Sequence, residues 1–408
     1  MKPTTILSSS YKAARLILFA FIVFTIISYL YVIFTGTYNG DYLGIKPKLS
    51  QMQLFHNLLY TITPFLVLFI IYKQYKKVNN RYKITIPCKA FGQFLFLVVI
   101  FQIIVTALFG VGKLGRDIYE APATIKLFIQ IFNRFDVIFG IAIYSVVAEK
   151  EQKNKILLWV LIFILSILRA SLGVFAIMGF IMIILYNDYF IAFVKKHLLF
   201  IILIITIAPV FVTILYDIRK QMRQEKEKIE ISIDEKKEWN FSEVIFGQLV
   251  GRLSSYSNSA IIMERKNKMI ELTKDFSLMQ YPKEAITSVY GKIIDRKKIS
   301  YPNLLYESAG NHTRNYSAMN GTQGAILIGS YKSGKFVFVN IITILLIVVL
   351  AFELTSLLHY DKMYEIVFLF FCFSAMSGGA AEYMSKLMFV VLYLLLFLFF
   401  NSLKTSKK

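Results

Sequence analysis

The sequence predicts an all-α polytopic membrane protein, and three observations predict it. Of the 408 residues, 57% are hydrophobic and 17% charged, whereas soluble chains average about 45–50% apolar and about 25% charged. The apolar residues arrive in blocks of roughly twenty, the length an α-helix needs to cross a hydrocarbon core about 30 Å thick. The 46 Lys and Arg, against 25 Asp and Glu, mostly flank those blocks. A nucleic-acid binder would gather its basic residues on a folded polar domain, so the charge of +21 does not point to nucleic acid. Cys88 and Cys372 lie far apart in or beside apolar runs and form neither a disulfide framework nor a CxxC pattern.

The hydropathy blocks predict about ten spans, at 14–35, 54–72, 89–109, 127–147, 156–168, 170–186, 198–216, 336–357, 364–382 and 387–401. The first is too long for a signal-peptide core and no A-x-A site follows it, so it is expected to stay as an anchor. The fifth and sixth are short and meet at Leu168-Arg169-Ala170, which reads as a tight helical hairpin with Arg169 near its turn. With the N-terminus inside, the cytoplasmic segments hold 18 basic residues and the short outside loops 6. That bias predicts an N-in, C-in protein of the cytoplasmic (inner) membrane. The runs Lys73–Lys83 and Lys404–Lys408 are then topology markers.

Three regions follow: helices 1–7 over residues 1–216, a polar stretch of 119 residues over 217–335, and helices 8–10 with a basic tail over 336–408. The topology places the polar stretch outside, between helices 7 and 8. A connection that long is usually functional or disordered. Its early part, Arg219–Trp239, is a mixed-charge run expected to be solvated. The later part is rich in Tyr, Asn, Gly and Ser, as binding surfaces are.

Phe241–Arg265 carries Val244, Ile245, Leu249 and Leu253 at helical spacing, which predicts an amphipathic helix on the membrane surface. Arg252 and Tyr256 share a face of it. Arg252 is either a solvated surface arginine or is aimed at an anionic head group or diphosphate. In Tyr301–Gly334, His312, Arg314 and Tyr316 alternate, so extended backbone would point them to one side. His312 is one of four histidines, with His56, His197 and His359, and the only one in the long loop. A neutral imidazole can take a proton from a sugar hydroxyl, with Glu307 as the competing base and a plain solvent-exposed histidine as the simpler reading. Gly321, Gly324, Gly329 and Gly334 suit tight turns and close backbone approach to a ligand, or simple loop flexibility.

Arg169 is the most informative single residue. An arginine at the centre of a span costs roughly 2.5–3.5 kcal/mol, less near a turn where it can snorkel. Its guanidinium can hold a phosphate bidentately, or merely cap the hairpin. Arg134, near the outside end of the fourth span, is a second candidate that Asp136 is close enough to pair with. No Walker A motif, GxGxxG, HExxH or DxD pair is present, so no metal and no cofactor is expected. A leaving diphosphate would be stabilised by Arg and Lys alone.

This layout resembles the Wzy-type oligosaccharide repeat-unit polymerases of O-antigen and capsular polysaccharide. The resemblance covers nearly the whole chain: about ten spans, an arginine at a mid-chain hairpin (Arg169-Ala170-Ser171, without the glycine of the family's Ser-Arg-Gly-like triplet), and a large outside loop. That loop ends in a Gly-rich entry to the next span, Gly321-Thr322-Gln323-Gly324 through Gly329–Gly334. It implies a metal-independent, GT-C-like glycosyltransferase of the lipopolysaccharide or capsule pathway. Such an enzyme passes the growing glycan from undecaprenyl diphosphate to a new lipid-linked repeat unit on the outer side of the membrane. Donor and acceptor lipids, membrane lipid, a chain-length regulator and a flippase are the implied partners. By the same resemblance Arg169 and Arg252 hold diphosphates, Arg314 holds diphosphate or glycan, His312 or Glu307 deprotonates the acceptor, and Tyr256 and Tyr316 pack on sugar rings. An O-antigen ligase shares the architecture. A flippase should show internal repeats and short loops, and neither is visible here.

Overall fold

A computed structural model describes residues 11–77, 84–112, 123–132, 134–148, 152–169, 171–186, 247, 250–290, 301–308, 321–358 and 360–405, with scattered positions between 192 and 214. The expected seventh span and the mixed-charge run 219–239 fall largely outside these residues. So do His312, Arg314 and Tyr316.

Every regular element among the described residues is helical, and one isolated bridge, Ile84 to Leu358, is the sole β pairing among them. The long apolar helices are α1 (Lys12–Thr35), α2 (Gln51–Tyr75), α3 (Cys88–Phe109), α14 (Gly334–Ser356) and α16 (Ala380–Thr405). Among the described residues, five helices thus have the length and apolarity to cross a membrane. Their ends follow local chemistry. Gly36 and Gly110 close α1 and α3 in left-handed conformation, donating to Val32 O at 3.0 Å and Thr106 O at 3.1 Å. Ser50 and Gln53 form a capping box at the start of α2.

The block 127–147 is two helices, not one: α4 (Ala123–Phe132) and α5 (Val137–Val147). Asp136 restarts the helix by accepting the Phe139 amide at 2.8 Å. Carbonyls at the break accept additional hydrogen bonds from other helices. Gln102 Nε2 donates to Phe132 O at 3.1 Å, and Tyr393 OH donates to Asp136 O at 2.8 Å. The expected hairpin is present as α6 (Gln152–Leu168) and α7 (Leu172–Tyr186), its turn closed by a hydrogen bond from the Ser171 backbone N–H to Ser166 O at 2.9 Å.

The core is aromatic. Phe21 of α1 stacks between Phe65 of α2 and Phe180 of α7, with centroids 5.0 and 5.1 Å away, and meets the edge of Phe373. Phe373 lies on α15 (Lys362–Ser377), which is buried around nearly its whole circumference and forms the axis of the bundle. The outward faces of the long helices carry Phe34, Leu108, Leu97 and Phe19, at 81%, 70%, 65% and 64% exposure. Apolar surface of that extent suits lipid rather than water.

Antiparallel pairing gives the bundle two distinct ends. The base end holds the turn from α2 to α3, the Ile84–Leu358 bridge and a buried ion pair between Lys76 and Glu365, to whose carboxylate Tyr72 also donates. The opposite, cap end holds α8 (Gly251–Ser254), α9 (Tyr256–Glu264), α10 (Lys266–Leu272), α11 (Gln280–Tyr290), α12 (Leu304–Glu307) and α13 (Gly321–Lys332).

Two expectations for this region are corrected. The stretch around Tyr256 is not an amphipathic helix on a membrane surface, because seven consecutive residues from Tyr256 to Ile262 are buried. The helix is plugged into the cap end. Its serines are small enough to fit between α1 and α2, where polar partners wait. Ser254 meets Ser28 at 2.7 Å, Ser257 donates to Asn39 Oδ1 at 2.6 Å, and Ser259 donates to Asn57 Oδ1 at 2.6 Å. The Gly-rich stretch is likewise helix α13 rather than a run of turns. Gly324 is buried, and Gly329 brings α13 against α14, where an added Cβ would lie 3.3 Å from Val337 N.

One backbone crossing closes the cap. Gly321 and Gly378 both have φ near +70°, and a Cβ on Gly378 would lie 2.1 Å from Gly321 O. Gly378→Ala is expected to cost about 3 kcal/mol or more from left-handed strain and overpacking. Gly173→Ala on α7 meets nothing within 4 Å and should be neutral or mildly stabilising. Thermal midpoints by size-exclusion in detergent compare the two; equal midpoints would refute the crossing.

Candidate functional site

The arginines singled out in the sequence that lie among the described residues all fall at the cap end, in three different electrostatic situations. Arg169 follows α6 at the hairpin turn and folds inward. Its Nε donates to Thr106 Oγ1 at 3.3 Å and an NH2 group donates to Gln102 Oε1 at 3.2 Å. Gly112, in left-handed conformation, provides the space: a Cβ there would lie 2.8 Å from Arg169 Nε. Because Gln102 also donates to Phe132 O, its amide is held with the oxygen toward Arg169. All these partners are neutral. Among the described residues no carboxylate lies within ion-pair distance of Arg169.

Arg252 differs. It pairs with Asp41 at 2.9 Å, both side chains being partly exposed, so its charge is matched locally. Arg134 is exposed, and its NH1 donates to Ser288 O at 3.2 Å, tying the α4–α5 break to α11. Asp136 does not pair with it, since that carboxylate is used as the cap of α5.

Tyr256 has no face left for a sugar. It is fully buried, and its hydroxyl donates to Leu54 O at 2.8 Å. Gly324 and Gly329 serve helix packing. Glu307 is half-buried at the end of α12, beside Ser308, whose hydroxyl accepts from Arg265 at 3.1 Å. His312, Arg314 and Tyr316 lie outside the described residues; the flanking positions are Ser308 and Gly321, both at the cap end.

These groups belong to one contiguous layer. Arg134 reaches α11, whose Tyr281 donates to Gly378 O at 2.7 Å. Two residues before Gly378, Met376 O accepts from Ser255 at 2.7 Å, and Ser255 is three residues from Arg252. Two further groups in this layer escape sequence reasoning. Arg265 stacks over Tyr42 at 5.7 Å, and Glu284 of α11 is a 6% exposed carboxylic acid. Glu284 Oε1 accepts from Gln280 Nε2 at 3.0 Å and from the Tyr301 amide at 3.1 Å, while Oε2 has no hydrogen-bond partner among the described residues. Burial pushes its carboxyl up to about 7 against those two hydrogen bonds. The i, i+4 pairing of Gln280 and Glu284 is visible in the sequence, but nothing there announces the burial.

Chemically, the layer offers an inward guanidinium whose hydrogen-bond partners among the described residues are neutral, with Asp136 acting on it at longer range, two further arginines in the same layer, and a carboxylic acid that titrates near neutrality. Among the described residues no group of three His, Cys, Asp or Glu could hold a metal ion. The chain matches no protein-family model, no curated protein and no solved structure.

The Glu284 shift has a stability consequence. The folded-state value lies above the ordinary 4.5, so the native state keeps a proton that the unfolded chain has lost. Stability therefore falls as pH rises from about 4.5 to about 7 and levels off above it, by up to about 3 kcal/mol. Glu284→Gln should flatten the profile between pH 5 and 8 and raise the midpoint at pH 8, read by thermal unfolding in detergent. A wild-type profile already flat over that range would refute the burial.

Proposed function

We propose that the chain is a polymerase of undecaprenyl-diphosphate-linked oligosaccharide repeat units, working at the cap end on the outer face of the cytoplasmic membrane. In this reading the ten spans run N-in and C-in. The fourth is α4 and α5 together, since α5 alone is about 16 Å long and too short to cross. A break at membrane depth is tolerable because its carbonyls stay bonded: Phe132 O and Phe135 O accept from Gln102, and Asp136 O accepts from the Gly140 amide and from Tyr393.

The observation that carries the reading is Arg169. A guanidinium folded into the bundle whose hydrogen-bond partners among the described residues are neutral is stabilised when an anion arrives, and its planar fork suits a diphosphate. Chemically, the acceptor sugar hydroxyl attacks the anomeric carbon of the donor glycan. The bond from that carbon to the diphosphate oxygen breaks, and undecaprenyl diphosphate departs with its new charge held by Arg169. Arg134 and Arg252 add positive potential around the site, Arg252 after exchanging Asp41 for the ligand. The hydroxyl proton passes to His312 or Glu307, and Arg314 and Tyr316 engage the glycan.

Arg169→Ala is expected to lower polymer formation by about 100-fold or more while single-repeat glycolipid persists. Arg169→Lys should recover little, because an ammonium lacks the fork. The assay is purified protein with synthetic undecaprenyl-diphosphate repeat units, resolved as a ladder. Normal ladders in the alanine variant would sink the role of Arg169. Failure of the wild type to consume the repeat unit would sink the polymerase reading itself, and transfer only of finished polymer to a lipid A core would make the chain a ligase.

A further inference from the structure

At the base end, away from the arginine layer, the side of the bundle opens into a crevice of about 560 Å³ between the end of α5, the start of α6, the end of α7 and the start of α15. That volume lies within the usual range for a small-molecule site, about 300–1,000 Å³. Its polarity is graded along the helix axes. Lys155 lies in the first turn of α6 and Lys362 opens α15, so both lysines stand at the base end of the crevice. Phe163 and Met178 line its deep end, each eight residues along its helix from Lys155 and Tyr186 respectively. The crevice is therefore about 12 Å deep along the helix axes. Trp159 forms the wall between, its indole fixed by a 3.1 Å hydrogen bond to Ser145. Among the described residues no acidic residue lines it, and Lys362 Nζ donates to Leu185 O at 3.4 Å.

A second crevice of about 620 Å³ lies on the other flank of α6, with Asn154 at the helix start and Lys89 at the start of α3. Among the described residues it too has no acidic lining residue, and it carries its lysine at the same end. The first half of α6 thus stands between two apolar slots whose cationic ends lie level with one another.

We propose that the α5–α6–α7–α15 crevice is a binding site for an anionic phospholipid. The phosphate sits between Lys155 and Lys362, and one acyl chain lies along Trp159 toward Phe163 and Met178. The charge of the lysines selects the head group, and the apolar depth requires a chain, so a free phosphate satisfies only part of the site. With the N-in orientation expected from the loop charges, this end faces the cytoplasmic leaflet, whose surface is anionic and where each nearby basic residue is worth about fivefold in binding.

The test uses the tryptophans. The chain has two, so Trp239→Phe leaves Trp159 as the sole reporter inside the crevice. The full-length protein is titrated in neutral-lipid bilayers with phosphatidylglycerol or phosphatidylcholine brominated at mid-chain, and Trp159 quenching is read. The expected result is tenfold or greater preference for phosphatidylglycerol, falling to within twofold in Lys155→Gln/Lys362→Gln and restored in Lys155→Arg/Lys362→Arg. Equal quenching by the two lipids in the parent protein would overturn the proposal, as would a preference that survives the glutamine pair. Displacement of the brominated lipid by inorganic phosphate alone would overturn the lipid assignment. If the glutamine pair fails to elute as a single species, Lys155→Gln and Lys362→Gln are read separately, each expected to lose about fivefold.

Discussion

The arrangement depends on one constraint: a polar group placed among apolar helices must find its partner inside the protein. The seam between α1, α2 and the plug Ser254–Ser259 is where that requirement is met most densely. Ser28, Asn39, Asn57 and Thr61 are fully buried, and each bonds to a residue of the plug. An unpaired buried donor or acceptor costs about 1–3 kcal/mol, so the seam specifies where the plug sits more sharply than apolar packing could. Seating the plug draws Gly40 against Gly251, where a Cβ on Gly251 would lie 2.3 Å from Gly40 N. It also brings Asp41 to Arg252 and Ser255 to Met376. The cap end is thus assembled as a by-product of satisfying polar atoms.

Charge is handled differently at the two ends. At the base end the buried Lys76 is neutralised by Glu365 and lies over the rings of Tyr11 and Tyr72, each 5.6 Å away. Such a pair is costly to break and offers an external ligand little, because its charges are already spent on each other. At the cap end Arg169 is buried against neutral oxygens instead. The first arrangement holds helices together, while the second leaves a positive potential to be used. Glu284 adds an acid whose ionisation is finely poised, close enough in sequence to Ser288 to belong to the same helix as the Arg134 contact.

Much of this was legible in the sequence wherever hydropathy decides it. The helices α1, α2, α3 and α14 lie where apolar blocks of span length predict, and the α6–α7 hairpin turns at Arg169, which is conspicuous because an arginine amid leucines is expensive. The α4–α5 break was missed because hydropathy averages over Asn133–Asp136, although an aspartate before Val137 is a capping signal. The segment around Tyr256 read as a surface helix from the spacing of Val244, Ile245, Leu249 and Leu253; its burial is created by asparagines some two hundred residues away. The glycines of α13 read as turns because periodicity cannot separate conformational freedom from close helix packing. Glu284 was unreadable beyond its i, i+4 pairing with Gln280, since its burial comes from Tyr301 and from elements distant in the chain.

The seam also sets a timetable for biogenesis. Ser28 and Ser254 are 226 residues apart, and Asn57 and Ser259 are 202 apart. At about 5–20 residues per second of synthesis, α1 and α2 enter the bilayer roughly 10–45 s before their partners exist. Throughout that interval the first hairpin carries unmet polar groups, which makes it a natural client for insertase or chaperone contact. The plug, arriving late, acts as a maturation latch: until it docks, the first helices are inserted but not yet a folded protein.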